Sequence, residues 1–326
     1  MKAIVYEKYG SPDVLELQEI VKPVPGNDQV LVKVHAASLN AADLDYLKGA
    51  FLIRLGGPRK PMYRILGSDI AGRIEAVGKN VTQFQPGDEV FGDLSEYGFG
   101  AFAEYVCVSE NALALKPIGL TFEEAAAVPA AGVIALQGLR NHRQLQLGQK
   151  VVINGAGGGA GSFAVQLAQY FGVEVTGVDS AMKMDMLRSI GADHVIDYAQ
   201  EDFTRNGQRY DLILDMVAYR SISDYRRVLC PEGCYVMVGG SITAILQTAF
   251  MGSWISRKGS QKMGILMARA SQSDLIFLKE LLEASKIVPV IDSCYPLSET
   301  AEAMRHLETS RACGKIVISV VQNTGT

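Results

Sequence analysis

The chain is poor in cysteine and contains no long apolar run, and both shortages limit what it can be. Its 326 residues include five cysteines. This odd, scattered set argues against a disulfide framework and for a reducing compartment. No apolar stretch approaches the roughly 20 residues that a membrane-spanning helix needs. The net charge of −4 gives no electrostatic reason to expect nucleic acid or an anionic membrane as a partner.

The amino-terminal residues also lack the pattern of a secretion signal. Met1 to Tyr6 enter a strand-like pattern directly, without an apolar stretch and a cleavage site. We therefore expect a cytoplasmic protein. The length suits two domains, each with its own hydrophobic core.

The first third of the chain is predicted to be β structure. Val30, Val32 and Val34 alternate with other residues, which is the period of a strand with one buried face. Turn residues at Gly78 to Asn80 and at Pro86 to Asp88 separate the apolar segments that follow. Short strands with frequent turns favour a barrel-like or sandwich domain.

Strands alternate with helical patterns after about residue 120. Lys150 to Asn154 is a predicted buried strand, Phe163 to Phe171 has helical spacing, and Glu174 to Val178 is a second strand. This alternation indicates βαβ units and a parallel sheet with helices on both faces. The last segment is mixed, with an extended stretch predicted at Val288 to Ile291 and a closing strand at Lys315 to Val320.

Glycine dominates the loop between the first of these strands and its helix. Gly155 to Gly161 has the sequence Gly-Ala-Gly-Gly-Gly-Ala-Gly, and a helix is predicted from Ser162. In a dinucleotide-binding fold such a loop turns tightly, lets the backbone approach a pyrophosphate and packs the helix closely on the strand. The sequence therefore predicts a nucleotide site rather than a linker. Two registers are compatible with the spacing: Gly155, Gly157 and Ala160, or Gly155, Gly158 and Gly161.

An acidic residue follows the second strand, where the adenosine ribose of a dinucleotide is expected. Asp179 lies about twenty residues after the glycine loop, followed by Ser180 and Lys183. A carboxylate there normally bonds the ribose hydroxyls and favours NAD. Lys183 would reverse this preference if its charge faced a 2′-phosphate, but it would have no such effect as a solvated helix lysine. The residues alone leave NAD and NADP open.

Several further segments carry a family resemblance. They are Leu66 to Gly72, Phe84 to Gly92, Gly191 to Tyr198 and Gly314 to Val317. With the glycine loop, they make the chain resemble the medium-chain dehydrogenase/reductase superfamily over essentially its whole length. The most similar branch is that of the zinc-free quinone oxidoreductase-like proteins, whose bacterial members are often called NAD(P)-dependent alcohol dehydrogenases.

The resemblance implies a fold and a division into domains. The expected fold is α/β, with a Rossmann doubly wound parallel sheet inserted into a GroES-like β-rich catalytic domain. The GroES-like domain is expected at residues 1–120 and 287–326, and the Rossmann domain at residues 121–286. The resemblance favours the longer glycine register, and it implies a homodimer.

Comparison with zinc-dependent relatives predicts that no metal is bound. A catalytic zinc needs three protein ligands and an open position. Those relatives carry a Cys at the position of Asn40, a His-Glu pair at Ser68-Asp69 and a further Cys near Ala130, and this chain has neither Cys nor His at these positions. The four clustered cysteines of the structural zinc lobe are absent as well.

Without zinc, the chain lacks the Lewis acid that eases oxidation of an alcohol. Hydride transfer from a reduced nicotinamide to an already electrophilic acceptor needs mainly orientation and a modest proton source. We therefore expect a zinc-independent NAD(P)H-dependent oxidoreductase that reduces a small apolar quinone or α,β-unsaturated carbonyl compound. The alternative is an NAD(P)H-binding redox sensor or structural protein with little turnover. A zinc-free alcohol dehydrogenase is poorly supported.

Two residues are the candidate catalytic groups. In similar enzymes an asparagine at the position of Asn40 lies near the nicotinamide and the substrate; the alternative is a cap before Ala41 to Lys48. Tyr46 would donate a hydrogen bond to the substrate, or else pack in the core. Phe51 stands where mitochondrial enoyl-thioester reductases carry a catalytic tyrosine, which disfavours that activity.

The remaining candidates are expected to bind the cofactor. Tyr198 and Lys183 match residues that touch the 2′-phosphate in similar NADPH enzymes, which favours NADP over NAD. For Lys315, which precedes the last strand, we favour a surface position over a cofactor contact. The full predicted set is Gly155, Ala156, Gly158, Gly159, Ala160, Gly161, Asp179, Ser180, Lys183, Tyr198, Val217, Gly240, Ser241 and Lys315.

Overall fold

A computed structural model of the protein describes residues 1–54, 56–140 and 145–321. The chain divides into two compact units. Unit 1 comprises Met1–Val133, Ala270–Ser285 and Pro289–Thr326, and unit 2 comprises Ile134–Arg269 and Lys286–Val288. Within the described ranges, no helix is long and apolar enough to cross a membrane.

The strands and helices follow one another in a mixed order. The strands are β1 (Lys2–Val5), β2 (Glu16–Glu19), β3 (Gln29–Ser38), β4 (Asp69–Val77), β5 (Glu89–Asp93), β6 (Tyr105–Ser109), β7 (Leu113–Leu115), β8 (Lys150–Asn154), β9 (Glu174–Asp179), β10 (His194–Asp197), β11 (Tyr210–Asp215), β12 (Leu229–Met237), β13 (Lys262–Ile265), β14 (Ile291–Pro296) and β15 (Lys315–Ser319). The helices are α1 (Ala41–Lys48), α2 (Phe51–Arg54), α3 (Phe122–Ala126), α4 (Pro129–Arg140), α5 (Gly159–Tyr170), α6 (Met184–Ser189), α7 (Ile222–Val228), α8 (Ile242–Gln247), α9 (Ser253–Lys258), α10 (Gln272–Glu283) and α11 (Thr300–Glu308).

Unit 1 is built on a mainly antiparallel sheet in the order β14-β15-β3-β4-β5-β7, with β6 also paired to β3. The prediction that β3 buries one face is confirmed: Val30, Val32 and Val34 are fully buried, while Lys33 is exposed. The register then aligns three strand ends: Ser38 of β3 pairs with Asp69 of β4, and Asp69 pairs with Asp93 of β5. This end of the sheet therefore gathers polar residues.

Unit 2 is built on a parallel sheet in the order β10-β9-β8-β11-β12-β13. Its strands are short and apolar; Val151, Val152 and Ile153 of β8 are completely buried. Helix α5 follows β8 after the glycine loop and packs on β8 and β9 through residues such as Phe163. The direction in which successive strands are added to the sheet reverses at β8, because β9 and β10 lie on one side of it and β11, β12 and β13 lie on the other. Ligands bind at such a switch point, beyond the carboxyl ends of the strands.

The fold is the predicted α/β arrangement of a Rossmann-like sheet and a GroES-like β-rich unit, but several boundaries differ from the prediction. Unit 1 extends to Val133 rather than to residue 120, and α10 belongs to unit 1. The reason for the second difference is packing: α10 lies against β7, and the Gln272 amide donates to the Leu113 carbonyl at 2.8 Å. Residues 322–326 of the predicted last domain lie outside the described residues.

The extended stretch predicted at Val288 to Ile291 is also displaced. Strand β14 begins only at Ile291. Val288 instead exchanges two hydrogen bonds with the side-chain amide of Gln166, with its N–H donating at 2.8 Å and its carbonyl accepting at 2.9 Å. A side chain on α5 thus takes the backbone groups that a strand neighbour would have used.

Candidate functional site

The glycine loop of unit 2 joins β8 to α5, and its glycines are constrained in different ways. Gly155 has a φ of +81°, in the left-handed region that favours glycine. A Cβ on Gly161 would lie 2.2 Å from the Gly155 carbonyl oxygen, so this glycine allows the helix to approach the loop. A Cβ on Gly158 would meet only that oxygen, at 3.6 Å, and so the space beside it is open. Gly155 therefore makes the turn, Gly161 allows the close packing, and Gly158 leaves the loop open to a ligand.

Helix α5 begins three residues earlier than the predicted start at Ser162. Gly158 is the N-cap and Gly159 the first helical residue. Gly158, Gly159 and Ala160 are partly exposed, whereas Ala156 and Gly161 are buried. The first N–H groups of a helix have no partners within it and lie at the positive end of its dipole, an arrangement that binds phosphate. The loop therefore has the shape and the donors that a pyrophosphate requires.

Asp179, at the end of β9, has its carboxylate turned inward. One oxygen accepts from the Gly157 N–H at 2.7 Å, and the other accepts from the Ser180 N–H at 2.8 Å. The Lys183 ammonium lies 3.4 Å from the second oxygen, and its side chain is only 5% exposed. Lys183 is thus a buried partner of Asp179, not a solvated helix lysine. The pair is close to neutral, so it would not repel a 2′-phosphate as a lone carboxylate would.

The remaining unit 2 candidates follow the carboxyl ends of neighbouring strands. Tyr198 follows β10 and Val217 follows β11, and both are about half exposed. Gly240 has a φ of +155°, and Ser241 caps α8, where its hydroxyl accepts from the Ala244 N–H. Because the strands are parallel, these residues lie at the same sheet edge as Gly155. The structure therefore brings the predicted unit 2 residues to one edge.

Unit 1 contains a buried polar network centred on Asp69. The Lys315 ammonium lies 3.0 Å from Asp69 Oδ2, with side-chain exposures of 2% and 0%. The same oxygen accepts from the Ser38 hydroxyl at 2.9 Å and from Asn40 Nδ2 at 3.0 Å. The other oxygen accepts from the Ala130 N–H at 2.8 Å. Four donors therefore surround this buried carboxylate, as a charge in an apolar interior requires.

Lys315 is buried, and the preferred surface position is therefore wrong. Its ammonium donates to the Leu39 carbonyl at 2.9 Å and to Asn40 Oδ1 at 2.7 Å, in addition to Asp69. The strand register explains this position, because β15 pairs with the end of β3 and carries Lys315 to the start of β4. The sheet thus determines which groups this lysine reaches.

Asn40 caps α1, but its side chain is used elsewhere. Its backbone N–H donates to the Asp43 carboxylate at 2.8 Å, which closes the first turn of the helix. The side-chain amide donates to Asp69 and, at 3.2 Å, to the Ser68 hydroxyl oxygen. The cap interpretation and the site interpretation of Asn40 are therefore compatible.

Two further acids lie in the same interior. Asp43 is fully buried, and its second oxygen accepts from the Gly67 N–H at 3.1 Å. Burial raises the pKa of Asp43 to about 7, and the charge of Asp69 adds to the rise. Burial also raises the pKa of Asp93 to about 6, again with a contribution from Asp69. Lys315 lowers both pKa values, so its charge limits the cost of keeping three carboxyl groups together.

Tyr46 lies on α1 in an aromatic cluster. Its ring centroid is 4.7 Å from that of Phe99 and 5.7 Å from that of Tyr63. Burial, with a smaller effect of Tyr63, raises the pKa of the Tyr46 phenol, which keeps it protonated at neutral pH. Tyr46 is half-buried, so it combines a packing role with a hydroxyl that can donate.

Sequence reasoning treated Ser68 and Asp69 only as positions without zinc ligands, and it missed Asp43 and Asp93. The available signal was an acid inside an apolar segment, as in Leu66 to Ala71, since charged groups are rarely buried without partners. The donors at this site do not suit zinc, because the Asp69 carboxylate already binds an ammonium and the neighbouring donors are an amide and a hydroxyl. Among the described residues, no group of three or more His, Cys, Asp or Glu side chains is placed to hold a metal ion.

Comparison with known proteins places this geometry among oxidoreductases. Residues 26–118 match a family model described as an alcohol dehydrogenase GroES-like domain, and residues 190–318 match one described as a zinc-binding dehydrogenase. Asn40, Ser68 and Asp69 lie within the first match and outside the second.

Individual relatives are similar over nearly the whole chain. The chain is 35% identical to 2-methylene-furan-3-one reductase of Solanum lycopersicum, over 98% of this chain and 79% of that protein. It is 33% identical to the chloroplastic NADPH-dependent alkenal/one oxidoreductase of Arabidopsis thaliana, with the same coverage of 98% and 79%. The solved quinone oxidoreductase of Coxiella burnetii superposes with a TM-score of 0.88 at 30% identity, covering 98% of this chain and 99% of that chain.

Proposed function

The chain belongs to the medium-chain dehydrogenase/reductase superfamily, among its quinone oxidoreductase-like members, and we propose that it is a zinc-independent, NADPH-dependent reductase of quinones or α,β-unsaturated carbonyl compounds. The observation that carries the proposal is the network in unit 1. At the positions that the family resemblance assigns to zinc ligands in zinc-dependent relatives, Asn40 and Asp69 bond to the buried ammonium of Lys315, and Ser68 accepts from the Asn40 amide. Because no Lewis acid is supplied by this donor set, the acceptor must itself be electrophilic.

The cofactor is held by unit 2. The open backbone at Gly158 and the free N–H groups of α5 suit the pyrophosphate. The neutralised Asp179–Lys183 pair, with the exposed Tyr198 beyond β10, suits a 2′-phosphate. NADPH supplies a hydride when bound, and these residues fix its adenosine end. The relatives named for NADPH support the same choice.

The acceptor is expected to be small and apolar. Large apolar side chains are exposed in two segments: residues 51–63 of unit 1, with Phe51 and Met62, and residues 254–267 of unit 2, with Trp254 and Met267. Residue 55, within the first of these segments, lies outside the described residues. Tyr46, with its protonated phenol, is a candidate donor to the acceptor. Relatives named for an alkenal/one substrate and for quinones accord with this class.

Two further properties belong to the proposal. A homodimer is supported by the outer edge of β13, which pairs with no strand among the described residues, and by the exposed apolar residues Phe250 and Met251. Light scattering coupled to gel filtration would give twice the monomer mass, and a monomer at micromolar concentration would contradict it. A cytoplasmic location is the second property, and fractionation of cells that produce the tagged protein would test it.

The decisive experiment is a titration followed by turnover. NADPH and NADH are first titrated against the protein, and their oxidation is then followed with a panel of quinones and enones. We expect tighter binding of NADPH and consumption with at least one acceptor of these classes. Tight binding without any consumption would instead support the redox-sensor or structural alternative. The absence of nucleotide binding would contradict both.

A further inference from the structure

A directed chain of hydrogen bonds leads from Lys315 to Ser68. The buried ammonium donates to Asn40 Oδ1 at 2.7 Å, and Asn40 Nδ2 donates to the Ser68 hydroxyl oxygen at 3.2 Å. Each bond in such a chain polarises the next, more strongly in an interior of low dielectric. The positive charge of Lys315 therefore acts, through the amide, on the Ser68 hydroxyl and makes it a better donor.

This series of hydrogen bonds ends at the hydroxyl hydrogen of Ser68, which has no acceptor among the described residues. The three hydrogen bonds of the Lys315 ammonium and both bonds donated by the Asn40 amide end on oxygens inside unit 1. The other hydroxyl of the network, that of Ser38, donates to Asp69. Ser68, by contrast, accepts from Asn40, and its own hydrogen finds no acceptor among residues 1–54, 56–140 and 145–321.

This unmet donor is almost buried. Ser68 is 4% exposed. A buried hydroxyl that donates to nothing costs free energy, and native proteins rarely leave one without a protein, water or ligand partner. Asn40 beside it is partly exposed, so the network reaches the surface of unit 1 here. The arrangement therefore calls for an oxygen that is not part of the described chain.

The proposed reaction supplies such an oxygen. Hydride addition to the β-carbon of an enone oxidises the nicotinamide, breaks the carbon–carbon π bond and moves its electron pair towards the carbonyl oxygen, giving an enolate. A proton from water then bonds to the α-carbon and completes the saturated ketone. The barrier depends on how well the charge on the oxygen is stabilised, and a pre-positioned donor is an effective way to do so.

We propose that Ser68 is the catalytic hydrogen-bond donor to the carbonyl oxygen of the acceptor, and that Lys315 and Asn40 are the residues that position and polarise it. The inference rests on the proposed function, which it extends by naming the group that replaces a Lewis acid.

The first test compares variants of buried hydroxyls. Ser68→Ala should lower kcat with benzalacetone by about a hundredfold, the usual effect of removing one such donor. It should leave the dissociation constant of NADPH unchanged, and it should affect a strongly oxidising quinone less. Ser68→Thr, which keeps the hydroxyl, should recover most of the activity. Thr300→Val is the matched control, because it removes another fully buried hydroxyl of unit 1, one that donates to the Leu297 carbonyl; it should lower stability but not kcat.

The second test does not depend on turnover. Benzalacetone labelled at its carbonyl carbon is bound in the presence of NADP⁺, which has no hydride to give, and its C=O stretch is measured by infrared difference spectroscopy. A donor to the oxygen lowers the frequency, so wild type should lie below Ser68→Ala. Equal frequencies, or wild-type kcat in Ser68→Ala, would overturn the inference and leave Ser68 bonded to a structural water only. If wild type reduced no quinone or enone at all, the proposed function would fail independently of this measurement.

Discussion

Replacing Lys315 by methionine tests the network at the buried ion pair between the Lys315 ammonium and the Asp69 carboxylate in unit 1. Lys315→Met keeps the length of the side chain and removes the charge and three hydrogen bonds, at 2.7 to 3.0 Å. The pair is 2% and 0% exposed, so water cannot replace the lost donors. Breaking a buried pair by removing one partner costs about 3–5 kcal/mol, because the other charge stays buried.

Hydrogen exchange measured by mass spectrometry gives the assay. A loss of about 3 kcal/mol should speed exchange of the slowest amides in β4 and β15 by about a hundredfold. Trp254 is the chain's one tryptophan and lies in unit 2, so its fluorescence reports that unit separately. The double variant Lys315→Met/Asp69→Asn should recover part of the loss, since it removes both charges.

The matched control is an exposed pair. Lys279→Met breaks the contact with Glu283 on α10, at 2.9 Å, where both side chains are more than a fifth exposed. Such a pair contributes about 0.3–0.5 kcal/mol. The reasoning would be refuted if Lys315→Met did not speed amide exchange in β4, or sped it no more than Lys279→Met does. Either result would show that the buried charge does not stabilise the network.

The remaining predictions concern pH and the nucleotide site. Burial raises the pKa of Asp43 from 3.8 to about 7, so the folded state binds this proton more tightly; the resulting stability is complete below about pH 4 and is lost as the pH rises through about 7. Urea unfolding should show this decline, and Asp43→Asn should make it smaller, leaving the part that comes from the raised pKa of Asp93; a rise in stability over that range in wild type would contradict it. Gly161→Ala should destabilise unit 2, because the new Cβ would lie 2.2 Å from a carbonyl oxygen. Gly158→Ala has room for its Cβ and should mainly weaken NADPH binding. Similar melting temperatures for the two variants would count against this distinction. Lys183→Met should weaken NADPH binding about tenfold more than NADH binding, because it leaves the negative charge of Asp179 without its cationic partner. Equal losses of affinity for both nucleotides would show that this pair does not determine the preference for NADPH.

Local pattern was sufficient for much of unit 2. The sequence patterns of the strand, the glycine loop and the helix all lie within about twenty consecutive residues. The structure contains β8, the loop and α5 in that order. Helix α5 nevertheless starts at Gly159 rather than at Ser162. Glycine has a poor helix propensity, so the loop residues did not indicate a helical turn, and close packing on β8 decided it.

The network of unit 1 shows where sequence reasoning stops. Lys315 and Asp69 are 246 positions apart, and no periodic pattern connects residues at that separation. A lysine is ordinarily exposed, so a surface position was the reasonable expectation. Only the pairing of β15 with β3, and of β3 with β4, places the ammonium beside the carboxylate.

The sequence by itself predicted the α/β class and the glycine loop between β8 and α5, because each depends on residue type and short-range spacing. The tertiary structure alone decided that Asp179 is neutralised by Lys183, and that Lys315, Asn40 and Ser68 form one chain of hydrogen bonds. A charge or hydroxyl acquires its chemical role from the partners that surround it when buried. Those partners come from strands that are distant in sequence and adjacent only in the folded sheet.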